Sequence, residues 1–306
     1  MSQPRPVFII NPVAGGGRGR RAQATITEFL GPRTGTDAQF AVTERPGHAV
    51  DLARDAAASG FDPIVAVGGD GTVHEVANGL LGFGGATPRL AVIPIGTGND
   101  FARSVGIPAD LRAAVKVASV VSGRTRIVDQ ARCGDRYFVV LVGTGFAARV
   151  AKAVNESPSW SKIGALPFVY HTLREVLTNR NVELTITLDG KDEIHQPSFM
   201  VYVSNCRFSG GGMQLSPEAR PDDGLLDVCL VGDASRRDVV TMLPKVFSGR
   251  HVGHPKVSLH RATTIRVDGP SHVEVQADGE VIGALPMEVA VVPNALRVLV
   301  SALTNS

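Results

Sequence analysis

Val67-Gly68-Gly69-Asp70-Gly71-Thr72 is the stretch on which the reading of this chain turns. It follows a short apolar run, Pro63 to Val67, and precedes Val73 to Leu81, which reads as a helix. The local pattern is therefore strand, glycine turn, helix. Glycines let the backbone turn tightly and let its N–H groups approach phosphate oxygens. The helix start adds a partial positive charge. Asp70 is out of place there, because a carboxylate repels phosphates unless a metal ion or water intervenes. It reads as a metal-side or substrate-orienting residue. A tight turn with a helix cap accounts for the glycines equally well, since lone glycine motifs often arise without a ligand.

Two further glycine segments follow strands. Asn11-Pro12-Val13-Ala14-Gly15-Gly16-Gly17-Arg18-Gly19-Arg20 comes after the β-branched run Pro6 to Ile10 and before a helix from about Arg20 to Leu30. It lacks the spacing and the Lys-Ser/Thr of a Walker A loop, and shows no clear dinucleotide pattern. It reads as a nucleotide-contacting loop or a solvated basic one. Gly96-Thr97-Gly98-Asn99-Asp100 follows the strand Leu90 to Ile95. Thr97 can donate to a phosphate, Gly96 and Gly98 give backbone access, and Asp100 suits a cap for the helix Phe101 to Val105.

Working outward, strands at 38–43, 63–67 and 90–95 alternate with helices at 48–59, 73–81 and 111–121. That alternation predicts βαβ units and a parallel sheet, with ligands beyond the carboxyl ends of the strands. After about Val121 the texture changes to short β-like runs, among them 127–131, 137–142, 182–188, 198–204, 226–231, 264–267 and 273–277. Helical breaks fall near 166–177 and 236–247. The expected architecture is an N-terminal α/β domain with a parallel sheet and glycine-rich loops, residues 1–123. A mostly antiparallel β-sandwich domain follows, residues 124–293, and 294–306 return to the first domain.

Composition bounds the rest. The chain has 306 residues, 43% of them hydrophobic and 20% charged, enough for two globular cores. Its 31 basic and 29 acidic residues nearly cancel, so no nucleic-acid partner is expected. Cys133, Cys206 and Cys229 are scattered in apolar runs, which predicts buried thiols and a cytoplasmic protein rather than disulfides or zinc. The start reads as no signal peptide, and no window of about 20 apolar residues offers a membrane span. His251 and His254 are expected in a surface loop. No G-x-S-x-G elbow supports a hydrolase.

Taken together, GGDGT (68–72), GTGNDFAR (96–103) and NPVAGGGRG (11–19) resemble the diacylglycerol kinase catalytic family. That superfamily also holds sphingosine kinases, soluble bacterial lipid kinases and, more distantly, NAD kinases. The resemblance implies a soluble lipid kinase that uses ATP and Mg2+. It implies that Asn11, Thr43, Gly68, Gly69, Asp70, Gly71, Thr72, Gly96, Thr97 and Asn99 contact the nucleotide, with Asp70 also on the catalytic side. In the second domain, the stretch Ser209 to Asp227 is similar to one in soluble bacterial lipid kinases that holds a structural magnesium. Carried over, Asp223 supplies the carboxylate, with main-chain oxygens of Arg220 and Leu225. A plain Asp-Gly turn is the alternative.

Gln276-Ala277-Asp278-Gly279-Glu280 resembles the family's Asp-Gly-Glu segment. Asp278 is then the first candidate for the base acting on the lipid hydroxyl, and Glu280 the second. Asp-Gly is also a strong hairpin signal, and a hairpin can carry a carboxylate. The implied acceptor is most simply diacylglycerol, giving phosphatidic acid. A sphingosine- or ceramide-type acceptor, an NAD kinase-like activity and a non-catalytic ATP-binding regulator stand as alternatives. The protein would meet its lipid transiently at the inner face of the membrane. Two amphipathic stretches, Trp160 to Leu177 and Arg236 to Arg250, suit either that surface or packing on the second domain's sheet. A homodimer is an option from base rates alone.

Overall fold

A computed structural model describes residues 5–31, 38–85, 87–119, 123–155, 166–178 and 180–302. The chain divides into two compact units, Met1–Asp129 with Asn294–Ser306, and Gln130–Pro293. The change of texture near residue 123 falls at the start of a continuous strand, Gly123–Cys133, within which the division lies.

The first unit alternates β1 (Val7–Ile10), α1 (Ala14–Leu30), β2 (Gln39–Val42), α2 (His48–Ala58), β3 (Ile64–Gly68), α3 (Asp70–Leu81), β4 (Arg89–Pro94), α4 (Asp100–Val105) and α5 (Leu111–Ala118). The strands pair in parallel in the order β2-β1-β3-β4. β1 and β3 are buried at every residue, which explains their unbroken apolar sequence: both faces of the sheet are covered. Phe8, Ile10, Val65, Val67 and Ile93 meet Ala22 and Ile26 of α1 and Ala114 and Val115 of α5 in one core cluster. α2 and α3 pack closely together. At Gly79 of α3 a Cβ would clash with the Val50 carbonyl of α2 and come within 2.8 Å of the Ala53 Cβ, so only glycine allows this approach.

The second unit begins with the end of β5 (Gly123–Cys133), followed by β6 (Arg136–Phe138), β7 (Leu141–Gly145), α6 (Phe146–Asn155), α7 (Leu166–Thr178), β8 (Val182–Leu188), β9 (Asp192–Ser198), β10 (Met200–Ser204), β11 (Leu226–Val231) and α8 (Arg236–Met242). Then come β12 (Val257–Ala262), β13 (Thr264–Asp268), β14 (Glu274–Ala277), β15 (Glu280–Ala284) and β16 (Met287–Ser301). One antiparallel sheet runs β12-β11-β10-β7-β14-β15, and β16-β13-β8-β9 form the facing layer. Alternate residues such as Val201, Val203, Val228 and Leu230 meet Leu184, Ile186, Ile265 and Val267 between the layers, the signature of a sandwich. The other face of the six-stranded sheet carries helices. Phe146, Val150, Val176, Val239 and Met242 from α6, α7 and α8 pack there with Phe199 and Val231. β16 changes partners along its length: Met287–Ala290 pair antiparallel with β13, and Arg297–Val298 pair parallel with β4.

Three expectations are corrected. The run 137–142 is not one strand, because the amides of Val139, Val140 and Leu141 turn aside to a carboxylate. The helix expected over 236–247 stays α-helical only to Met242 and continues as 3₁₀ turns, Leu243–Ser248 and Arg250–Gly253. Pro244 explains the change, since it has no amide to give and its ring crowds the carbonyl four residues back. His251 is buried rather than in a surface loop. Trp160 and Ile163 of the other amphipathic stretch lie outside the described residues.

Candidate functional site

In the first unit, the three glycine segments follow β1, β3 and β4, neighbouring parallel strands, and so meet at one sheet edge. Gly69 sits extended before α3 (φ −98°, ψ −169°), and α3 begins at Asp70. Gly68 has no room for a Cβ because the Thr72 side chain lies over it, and a Cβ on Gly96 would strike the Gly69 Cα. These two positions are glycine for contact between backbones. The Thr72 hydroxyl accepts from Asn11 Nδ2 at 3.2 Å, and Arg18 Nη2 donates to the Gly96 carbonyl at 3.0 Å. Each loop is therefore tied to the other two.

Asn99 shapes the third loop. It adopts a left-handed conformation (φ 54°), its Oδ1 accepts from Gly96 N at 2.9 Å and its Nδ2 donates to Gly96 O at 3.0 Å. The structure corrects the capping role expected for Asp100. That residue is buried and its Oδ1 lies 3.3 Å from Arg103 Nη1, while the carboxylate that accepts from the α4 amide of Phe101, at 3.0 Å, is Asp70. Asp70 thus joins the second loop to the third. Thr97 is exposed at the loop tip. Thr43 stands at the carboxyl end of β2, its amide donating to Ile10 O at 2.9 Å. Sequence reasoning missed Glu75. From α3 its two carboxylate oxygens accept from Gly47 N at 2.9 Å and Ala49 N at 3.0 Å, satisfying amides at the start of α2.

In the second unit, Asp278 occupies the β14–β15 hairpin with φ 47°. Its carboxylate accepts three main-chain amides: Val139 at 2.7 Å, Val140 at 2.9 Å and Leu141 at 3.0 Å. The hairpin thus points the carboxylate inward to fix a chain segment 137–139 residues away. Glu280 is largely exposed and lies 3.7 Å from Arg136 Nη1.

The Asp-Gly turn forms a separate acidic group. Asp223 Oδ1 accepts from Leu225 N at 3.2 Å, and its Oδ2 pairs with Arg261 Nη2. Arg261 stands directly across the strand pair from Asp227, with Nε 3.4 Å from Asp227 Oδ1. Asp227 was not among the expected site residues. It is buried, its Oδ2 has no hydrogen-bond partner, and burial pushes its carboxyl up to about 6 against the pull of Arg261. Arg220 is exposed, 3.6 Å from Asp222. Arg261 already pairs with both carboxylates, and the buried Asp227 oxygen it leaves without a partner is the one feature here that suits a small hard cation. Among the described residues no three Asp, Glu, His or Cys side chains converge as ligands, so such an ion would rest on main-chain oxygens and water.

Glycine loops that meet at the carboxyl edge of a parallel sheet, beside a helix start, define a phosphate-handling fold. Residues 5–133 match the diacylglycerol kinase catalytic domain, and residues 140–300 match the YegS C-terminal NAD kinase beta sandwich-like domain. A diacylglycerol kinase of Mycobacterium tuberculosis is 34% identical over 297 residues, 95% of this chain and 93% of that protein. One from Bacillus subtilis is 30% identical, covering 93% of this chain and 92% of its own length. The crystal structure of a diacylglycerol kinase from Bacillus anthracis superposes with a TM-score of 0.75 over 99% of this chain and 98% of that one; at 23% identity this likeness carries the fold. The chain belongs to the diacylglycerol kinase catalytic-domain family, within the superfamily shared with NAD kinases. Its activity is that of an ATP-dependent kinase acting on a hydroxyl acceptor.

Proposed function

We propose that this kinase phosphorylates a lipid hydroxyl, with diacylglycerol as acceptor and phosphatidic acid as product. The observation that carries the reading is the joining of the Asn11–Gly19, Gly68–Thr72 and Gly96–Asn99 segments at one edge, in a chain 34% identical to a diacylglycerol kinase over nearly its whole length. The backbone amides of Gly68 to Thr72 hold the phosphates of ATP, with Gly96, Thr97, Asn99 and Asn11 around them and Thr43 at the neighbouring strand end. Asp70, anchored on the α4 amide, orients this edge.

The lipid oxygen attacks the γ-phosphorus, the bond to the bridging oxygen breaks, ADP leaves, and the hydroxyl proton passes to a carboxylate. Asp278 takes that proton, with Glu280 the second choice. Its three amides fix the direction in which it faces. Such chemistry depends mainly on positioning and charge neutralisation. Magnesium bound with ATP would supply that neutralisation, and Asp223 with the Arg220 and Leu225 carbonyls would hold a structural ion beside Asp227.

The test is transfer of labelled phosphate from ATP with magnesium to diacylglycerol, sphingosine, ceramide or NAD. Label entering diacylglycerol, and lost in Asp278→Asn, is the expected result. Label entering NAD alone would sink the lipid reading.

A further inference from the structure

The helical layer of the second unit buries one face and shows another. Val239, Met242 and Val246 of α8 and the turn after it are buried, and so is Val176 of α7. Yet the outward positions are not polar in the ordinary way. Val240 is 49% exposed, Phe247 50%, Leu173 45% and Tyr170 50%. The described residues include nine exposed large hydrophobic side chains, and five of them, counting Val252, lie on this one layer. A scattered exposed apolar residue needs no explanation, but a concentration does.

Charge decides what the layer faces. Arg236, Arg237, Lys245 and Arg250 are exposed around Val240 and Phe247, and Arg174 is exposed beside Leu173. The acidic residue within α8, Asp238, turns back on its own helix start: its Oδ2 accepts from Ser235 N and Oγ at 2.8 and 2.7 Å. Along the turns, Arg236, Val240, Pro244 and Phe247 recur at three- and four-residue intervals, so cation and apolar side chains share one stripe. α7 and α8 touch and pack on the same sheet face, so their outward sides look the same way.

We infer that the outward face of α7, α8 and the following 3₁₀ turns docks on an anionic bilayer. Phe247, Val240 and Leu173 enter the headgroup boundary, and Arg236, Arg237, Lys245 and Arg250 lie against anionic headgroups. Cationic side chains with long apolar stems suit that boundary, because the stem is buried while the charge stays wet. The inference rests on the lipid-acceptor reading for why a bilayer is approached, and adds which surface approaches it.

The experiment is co-sedimentation of the full chain, without ATP, with vesicles of phosphatidylcholine alone or mixed with phosphatidylglycerol, at low and high salt. Wild type should bind the mixed vesicles and lose binding as salt rises. Arg236→Glu/Arg237→Glu should weaken the partition at least about tenfold, on the usual strength of juxtamembrane charges. Phe247→Ser should weaken it too, while Val281→Ser, on β15, should not. Turnover of a short-chain, monomeric diacylglycerol should be unchanged in all three, which also shows that they fold. Binding that ignores both the charge reversal and Phe247→Ser would overturn the surface. So would a dimer in sedimentation velocity that Phe247→Ser dissolves, since the patch would then belong to a second copy. Wild type that sediments with vesicles yet phosphorylates no lipid would leave the surface standing and remove the lipid-kinase reading.

Discussion

Replacing Asp278 by asparagine touches two roles at once. The three amides of Val139, Val140 and Leu141 share its two oxygens, and an asparagine offers them only one. At least one amide then faces an NH2 group. We expect a stability loss of about 1–3 kcal/mol in urea melts, beside a fall in turnover of about 10²–10⁴-fold. Lost turnover with unchanged stability would mean that the amides find other partners. His251 gives the pH dependence at this scale. Its Nε2 lies 3.1 Å from the Leu215 carbonyl, which can only accept, so Nε2 carries a proton. Burial holds its pKa below the usual histidine value, so stability is fully present above about 6.5 and declines as pH falls through the lower folded value. Urea midpoints measured from pH 8 to pH 5 should drop more for wild type than for His251→Gln. The glycine loops were legible in sequence because they answer to local backbone geometry. The partners of Asp70 and Asp278 were not, because each carboxylate bonds to amides 31 or more residues away.

At the scale of elements, the strands covered on both faces were readable as apolar runs, β1, β3 and β11 above all. The ones that escaped are β9, β12 and β15. Each ends a strand order, where one side of the ladder is unpaired. Asp192-Glu193-Ile194-His195-Gln196-Pro197-Ser198 carries charge and a proline, as edges often do, and so reads like a loop. α6 escaped because it starts directly from the buried strand end at Gly145, with no polar cap residue before it to mark a boundary. Two predictions belong here. Gly79→Val should force α2 away from α3 and cost about 1–3 kcal/mol, read as a lower melting temperature. Glu75→Ala leaves the Gly47 and Ala49 amides without their acceptors and should cost about 0.5–2 kcal/mol. A melting temperature equal to wild type in Glu75→Ala would show that water replaces the carboxylate fully.

For the whole molecule, the three thiols are a probe of integrity. Cys133, Cys206 and Cys229 form no disulfide and are buried, and burial pushes the Cys133 thiol up to about 11 and the Cys229 thiol to about 12. The thiolate is the reactive form. A thiol reagent at pH 8 should therefore label the native chain slowly and the urea-unfolded chain at once, with labelling rates tracking global opening. Fast labelling of the native protein would contradict the burial.

β16 carries a consequence for the birth of this protein. It follows every other element in the chain, yet it supplies a partner to β4 and another to β13. While a ribosome is still extending the polypeptide toward residue 287, both of those strands present bare edges, the kind of surface that recruits stray chains. At about 5–20 residues per second, that vulnerable interval closes only when the last fifteen-residue strand has left the exit tunnel.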